Sequence, residues 1–277
     1  MALIELKNVS KDYGARRVLA GVNLAIEEGE FVSIVGVSAS GKTTLLKLAA
    51  GLLEPTSGTV TIDGQCVSEF PRGAAIVFQN YSLLPWLNAL ANVELAVESA
   101  FPDWPASRRR DQAMLYLEKV GLKAALAKRP SQLSGGMRQR VAIARAFAVE
   151  PRIIFLDEPF GALDALTRAT LQQELAALCQ ARTPRVTALM ITNSVDEAVL
   201  LSDRILALGR GPGAALSAAV PVPLSRPRSA KALLQDEQAV KVRARVTEFL
   251  VAGSRGPAPH APRVARPAES APAEVRP

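Results

Sequence analysis

The stretch GVSASGKT, Gly36 to Thr43, constrains the fold more than any other part of this chain. It follows the apolar run GEFVSIVG and opens the helix-forming segment TLLKLAAGL. A G-x-x-x-x-G-K-[ST] pattern between a strand and a helix is a phosphate-binding loop. Its glycines let backbone N–H groups close around phosphate oxygens, and the helix N-terminus adds a partial positive charge. Gly36, Val37, Ser38, Ala39, Ser40, Gly41, Lys42, Thr43 and Thr44 are therefore candidate nucleotide contacts. Among them Lys42 is expected to reach the β- and γ-phosphates, and the Thr43 hydroxyl to ligate Mg²⁺.

The rest of the chain supplies a sheet for that loop. The first sixty or so residues read as β-rich: LIEL alternates, GEFVSIVG is continuously apolar, and TVTIDGQCV carries an Asp63-Gly64 hairpin turn. From about Val93 to Leu126 the pattern turns helical and amphipathic. A helix from Gly135 to Val149, the strand RIIFL, a helix from Leu166 to Gln180, the strand VTALMIT and the helix VDEAVLLSD follow. Strands alternating with helices predict an α/β fold with a mostly parallel sheet covered on both faces. After Gly209 the composition shifts. Gly211-Pro212-Gly213 breaks the pattern, Pro221 to Pro227 reads as an extended connector, and Ser229 to Leu250 reads as one amphipathic helix. Beyond Ala252 the Pro/Ala-rich composition predicts disorder, and that tail holds the one histidine, His260.

Two further stretches carry chemistry. RIIFLDEP, Arg152 to Pro159, puts Asp157 and Glu158 at the carboxyl end of a buried strand, the edge where open α/β sheets bind ligands. There Asp157 can hold Mg²⁺ through water, and Glu158 can orient and polarise an attacking water. LSGGMRQR, Leu133 to Arg140, is a second Ser/Gly-rich turn opening a helix. It is either a capped helix start or a second anion site built from free N–H groups and the Ser134 hydroxyl.

Composition narrows the function. A net charge of +7 permits nucleic acid, an anionic membrane or phosphate ligands and does not choose among them. The run Arg108-Arg109-Arg110 reads as a solvated helix start. Cys66 and Cys179, far apart and outside any CxxC spacing, read as buried reduced thiols with no zinc site. No apolar run approaches the ~18 residues of a membrane span, and the start MALIELKN lacks a secretion-signal pattern, so a cytosolic location is expected.

In combination these motifs resemble those of ABC transporter ATPases over about residues 2 to 210. GVSASGKT resembles the Walker A loop, IIFLDEP the Walker B strand and LSGGM the signature motif. Gln79 in VFQNYSLLPWLNALANV resembles the Q-loop glutamine, Leu163-Asp164 the D-loop, and Tyr13 in VSKDYG the aromatic that stacks on adenine. The resemblance implies a P-loop ATPase domain over residues 1–210, with a mostly parallel core sheet, an antiparallel β subdomain and a helical subdomain at about 80–150. Residues 211–251 then form a connector and a C-terminal helix, and 252–277 the tail. It implies ATP and Mg²⁺ as ligands, with Thr43, Gln79 and Asp157 toward the metal and Glu158, Gln79 and residue 193 at the hydrolysed phosphate. It also implies a head-to-tail dimer, with an identical or a different ABC ATPase, in which Ser134, Gly135 and Gly136 of one chain close the other's site.

Within that family YSLLPWLNALANVELAVE, EPFGALDALTR, DEAVLLSDRI and PVPLSRPRS resemble the ATPases of nitrate/sulfonate/taurine importers. GRGPGAALSAAVPVPL and the Asn of Thr192-Asn193-Ser194 point to the nitrate, nitrite and cyanate branch. The implied partners are membrane permease subunits and a periplasmic or lipoprotein solute-binding protein, with no nucleic acid. The implied place is peripheral, on the cytoplasmic face of the bacterial inner membrane. Leu83 to Leu87 with Trp86 would then face a permease's cytoplasmic helix, unless Trp86 is simply packed. Two departures stand out. Ala39 replaces a common glycine, at small expected cost, and Asn193 replaces the switch-loop histidine. Asn193 can donate a neutral hydrogen bond but cannot become cationic, so a specialised, slower site is expected. The competing readings are a soluble ABC protein acting on nucleic acid, set against the single set of motifs and lack of heptads, and a weakly hydrolysing regulatory subunit, set against Glu158.

Overall fold

The computed structural model describes residues 2–181 and 183–252. Strands β1 (Ala2–Tyr13) and β2 (Arg16–Glu27) form an antiparallel hairpin whose buried positions include Ile4, Leu6, Val22 and Ile26. Strand β3 (Phe31–Val35) leads into helix α1 (Lys42–Ala49). Strands β4 (Ser57–Ile62) and β5 (Gln65–Cys66) then complete a four-stranded antiparallel sheet in the order β2-β1-β4-β5. The turn between them is the expected one: Asp63 and Gly64 both lie in the left-handed region, at φ 51° and 74°, as a two-residue hairpin turn requires.

After β6 (Ala74–Val77) come the helices α2 (Ala89–Ala100), α3 (Ala106–Lys119) and α4 (Gly135–Ala148), which pack on one another. The expected helical stretch from Val93 to Leu126 is interrupted at Phe101–Pro105, where Pro102 and Pro105 cannot continue a helix. The arginine run does more than meet solvent. Arg108 lies 3.8 Å over the Trp104 ring, which stacks on Phe101 at 4.1 Å, while Arg109 and Arg110 pair with Glu98 and Glu94 of α2. These contacts fasten the start of α3 to α2.

The remaining elements are β7 (Ile153–Asp157), α5 (Ala165–Gln180), β8 (Thr187–Thr192), α6 (Val195–Leu201), β9 (Arg204–Ala207) and β10 (Val220–Pro221). They build a second sheet in the order β10-β9-β3-β8-β7-β6, parallel except for β10. Every residue of β3, β7 and β8 is buried, as interior parallel strands covered on both faces must be. One face, with Ile34, Phe155 and Ile191, packs on α1 and the antiparallel sheet. The other, with Val35, Leu156 and Met190, packs on the helical layer. The α/β class and the mostly parallel sheet stand as expected.

Two further expectations fail. Ser229 to Leu250 is two helices, α7 (Ala230–Leu233) and α8 (Glu237–Ala252), because Asp236 accepts from the Ala239 N–H at 2.9 Å and starts a new helix. Cys66 is exposed, since β5 is a two-residue edge strand with both residues outward. Cys179 is buried, and burial pushes its thiol up to about 12. The tail beyond Ala252, with His260, lies outside the described residues. No helix among the described residues is long and apolar enough to cross a membrane.

Two arginines stitch the connector down, and Arg226 Nη2 donates to the Leu201 carbonyl at 2.6 Å and to Asp203 Oδ1 at 2.8 Å. The Arg228 guanidinium donates to the carbonyls of Val199, Ser202, Val222 and Leu224 at 2.9, 2.7, 3.2 and 2.8 Å. Burial, with Arg226 beside it, brings its pKa down to about 10. Arg228→Met keeps the apolar stem and strands those carbonyls. We expect a loss of about 2 kcal/mol in urea denaturation; an unchanged midpoint would show that the connector is held some other way.

Candidate functional site

Parallel register brings three strand ends to one edge: Val35 lies opposite Thr192, and Asp157 opposite Ile191. The loop from Gly36 to Gly41 leaves this edge under tight constraint. A Cβ on Gly36 would sit 2.8 Å from Ser40 Oγ and 3.2 Å from the Leu208 carbonyl oxygen. Gly41 has φ 101°, so only glycine serves there without strain. Ala39 also lies in the left-handed region, at φ 62°, where alanine costs about 1 kcal/mol. The cost of the missing glycine thus comes from backbone conformation.

Lys42 is buried, and its ammonium is the hub of the site. Nζ donates to the carbonyls of Gly36 and Val37, each at 2.9 Å, and to Asn193 Oδ1 at 2.7 Å, and it lies 3.3 Å from Glu158 Oε1. Burial lowers its pKa, and Glu158 and Asp157 oppose that shift. An ammonium only donates, so the oxygen of the Asn193 amide faces it and the NH₂ remains as the donating end.

Asp157 accepts from the Thr43 hydroxyl at 3.2 Å. Burial raises its pKa, the Thr43 hydrogen bond opposes, and the neighbouring Glu158 adds to the rise. A buried carboxylate and a hydroxyl in contact form a hard-oxygen pair with few protein ligands, which fits Mg²⁺ keeping waters and phosphate oxygens in its shell. Among the described residues no group of three or more His, Cys, Asp or Glu could hold a metal, so this is not a dedicated cage. Glu158 stands at φ 44° with its N–H donating to the Ile191 carbonyl at 3.0 Å. Gln79 Nε2 donates to Glu158 Oε2 at 3.5 Å, which puts the two together.

Tyr13, half exposed, lines a cavity of ≈ 370 Å³ with Arg16, Ala39, Gly41, Lys42, Thr43, Thr44 and Glu158. Val37, Ser38 and Ser40 line an adjoining cavity of ≈ 580 Å³ with Arg16 and Arg210. Arg16 and Arg210 were not read from the sequence. A basic residue three places after Tyr13 was the available signal for Arg16; none existed for Arg210. Ser134, Gly135 and Gly136 line neither cavity. Ser134 Oγ caps α4 by accepting from the Met137 N–H at 3.2 Å, and Gly136 is pressed against α5, where a Cβ would lie 2.5 Å from Thr167 Cγ2. Trp86 is 65% exposed, so the packed reading fails for that side chain, while Leu83 packs against the helical layer. The loop itself is fixed, because the buried Asn92 side chain accepts from Leu84 N–H at 2.8 Å and donates to the carbonyls of Leu84 and Leu87.

A phosphate loop, an acidic pair at the end of a parallel strand and a glutamine on its glutamate define a nucleoside triphosphatase. Residues 19–161 match the ABC transporter family, and the chain belongs to that family. It is an ABC-type ATPase. The nitrate import ATP-binding protein NrtD of Synechococcus elongatus is 46% identical over 83% of this chain and 83% of its own. The bicarbonate transport ATP-binding protein CmpC of Synechocystis is also 46% identical, over 86% of this chain, which spans 36% of that longer relative. A dimeric ATP-binding cassette in a post-hydrolysis state, bound to ADP and Pi, superposes with a TM-score of 0.71 at 35% identity, covering 80% of this chain and all of its own.

The raised Asp157 carboxyl has a measurable consequence. Ionising it in the folded, nucleotide-free protein costs stability at neutral pH; the penalty is absent below the ordinary carboxylate range and complete above the raised value. Asp157→Asn keeps the acceptor for Thr43 and leaves Glu158 as the counter-charge to Lys42. We expect the variant to melt above the parent at pH 7, with the gap closing as pH falls to about 4. A gap that does not change with pH would contradict this.

Proposed function

We propose that this chain is the ATP-hydrolysing subunit of an importer for a small inorganic oxyanion, nitrate before bicarbonate. The carrying observation is the 46% identity to a nitrate import ATP-binding protein across most of both chains. The resemblance of GRGPGAALSAAVPVPL and of Asn193 to the nitrate branch supports the same choice.

In this reading Tyr13 stacks on the adenine, and the loop N–H groups from Gly36 to Thr44 receive the phosphates. Lys42 exchanges its carbonyl partners for phosphate oxygens. Thr43 and Asp157 would hold Mg²⁺, with Gln79 beside them; the ion supplies charge neutralisation at the phosphates when bound. Glu158 accepts a proton from the attacking water and is oriented by Gln79, while the Asn193 amide donates to the terminal phosphate. A neutral donor stabilises developing charge less than an imidazolium does, which supports the slower-site expectation.

The second anion site completes a neighbour's pocket. Ser134, Gly135 and Gly136 lie at the N-terminus of α4 away from their own chain's loop, an arrangement suited to closing the site of a second ABC ATPase, identical or not. A groove of ≈ 850 Å³ between Phe70, Ala96, Phe101 and Arg145, together with exposed Trp86, offers the apolar surface for a permease helix on the cytoplasmic face of the inner membrane. A solute-binding protein on the far side would complete the complex. Residues 1–210 carry the ATPase, and 211–251 the connector and C-terminal helices.

The test is uptake. In cells that carry this chain, its deletion should abolish uptake of isotope-labelled nitrate. The parent chain should restore it, and Lys42→Ala, folded but unable to meet the phosphates, should not. Loss of labelled bicarbonate uptake with nitrate uptake intact would overturn the nitrate assignment in favour of bicarbonate, and loss of neither would overturn both.

A further inference from the structure

Glu197 has no part in the hydrolysis just described, yet it is only 6% exposed. Burying a carboxylate is costly unless its partners compensate, so its position calls for a reason. The Thr192 hydroxyl, at the end of β8, donates to Glu197 Oε2 at 2.5 Å. The same Thr192 oxygen accepts from the Ser194 N–H at 3.0 Å, and Ser194 Oγ accepts from the Glu197 N–H at 3.3 Å. These three hydrogen bonds close a ring around Asn193. The residue before it and the residue after it are both held by Glu197.

The other side of Glu197 faces α5. Arg168 Nε lies 3.9 Å from Glu197 Oε1, an ion-pair distance beyond hydrogen-bond reach, while Arg168 Nη2 donates to the Leu163 carbonyl at 2.8 Å. That Nε is buried and makes no hydrogen bond among the described residues. Asp164, next to Leu163, caps α5 by accepting from the Thr167 N–H at 3.0 Å. One rigid guanidinium therefore joins the Leu163–Asp164 loop to the carboxylate that fixes the Asn193 turn. A small movement of that loop would bring Nε into hydrogen-bond range of Glu197.

We propose that Glu197 and Arg168 are positioning residues, which set the placement of Asn193 against Lys42 according to the position of the Leu163–Asp164 loop. The proposal rests on the reading of Asn193 as a donor in the hydrolytic site. Neither Glu197 nor Arg168 touches the nucleotide; both act through Asn193. The loop thereby gains a path to the site of its own chain that does not pass through the phosphate loop.

The experiment is steady-state phosphate release by the full chain, with kcat, KM for MgATP and Tm measured for Glu197→Ala, Glu197→Gln, Arg168→Ala, Asn193→Ala and the Glu197→Ala/Asn193→Ala pair. Glu197→Ala should lower kcat about tenfold with KM within about twofold, the scale of a coupling carried through a neighbour. Arg168→Ala should lower kcat with KM likewise kept, and an unchanged kcat would overturn the part given to Arg168. Glu197→Gln, which keeps an acceptor for Thr192, should recover much of that loss and serves as the folded control. In the Asn193→Ala background Glu197→Ala should lower kcat no further, although its effect on Tm persists. Effects that multiply in the double variant, or a Glu197→Ala protein that changes only Tm or KM, would overturn the relay. An Asn193→Ala protein as fast as the parent would overturn the Asn193 assignment itself, and the relay with it; that outcome is seen in the single variant alone.

Discussion

The site depends on one buried ammonium. Lys42 Nζ reaches the phosphate-loop carbonyls of Gly36 and Val37, the amide of Asn193 after β8 and the carboxylate of Glu158 after β7. Three segments spread along the chain from Gly36 to Asn193 meet on that one cation, because parallel pairing ends β3, β7 and β8 at a common edge. The sheet supplies position, and the ammonium supplies the charge that makes the position useful to a polyphosphate. Without its oxygen partners a buried ammonium would shed its proton.

Local strain accompanies this arrangement. Ala39 and Glu158, and Tyr81 and Ser82 just after Gln79, all have left-handed backbones without being glycine. Each such residue costs on the order of 1 kcal/mol or more, and Ala39 and Glu158 line the cavity beside the phosphate loop. The surrounding packing sustains them. Arg145, at the far end of α4, donates to the carbonyls of Tyr81 and Ser82 at 2.9 and 2.6 Å, and Arg138 sits over the Tyr81 ring. The segment bearing the glutamine is thereby tied to the helix that bears Ser134, Gly135 and Gly136.

Much of this was legible in the sequence, and the reason differs by element. The phosphate loop and the Asp157–Glu158 pair follow from local spacing, since the residues that act together lie within one turn or one strand end. The Asp63–Gly64 turn and the α4 and α5 helices follow equally from local signals. What was not legible depends on distant partners or on competing local ones. The 2.7 Å contact between Lys42 and Asn193 spans 151 residues, and no periodicity announces it. Nothing local marks Arg228, just past the proline-rich connector, as the residue whose guanidinium meets five carbonyls. Asp236 stops a helix that its apolar pattern would have continued. Cys66 is exposed because its strand is too short and too peripheral to be covered.

The central claim is that Glu158 activates the water for hydrolysis while Lys42 and the loop hold the nucleotide. Glu158→Gln keeps the shape and the contact with Gln79 but removes the proton acceptor. Phosphate release and bound nucleotide should be measured together, on size-exclusion fractions run with MgATP. The account predicts ATP retained, release reduced by at least about a hundredfold, and a larger dimer fraction than the parent. Parental turnover from a monomeric Glu158→Gln protein would contradict it.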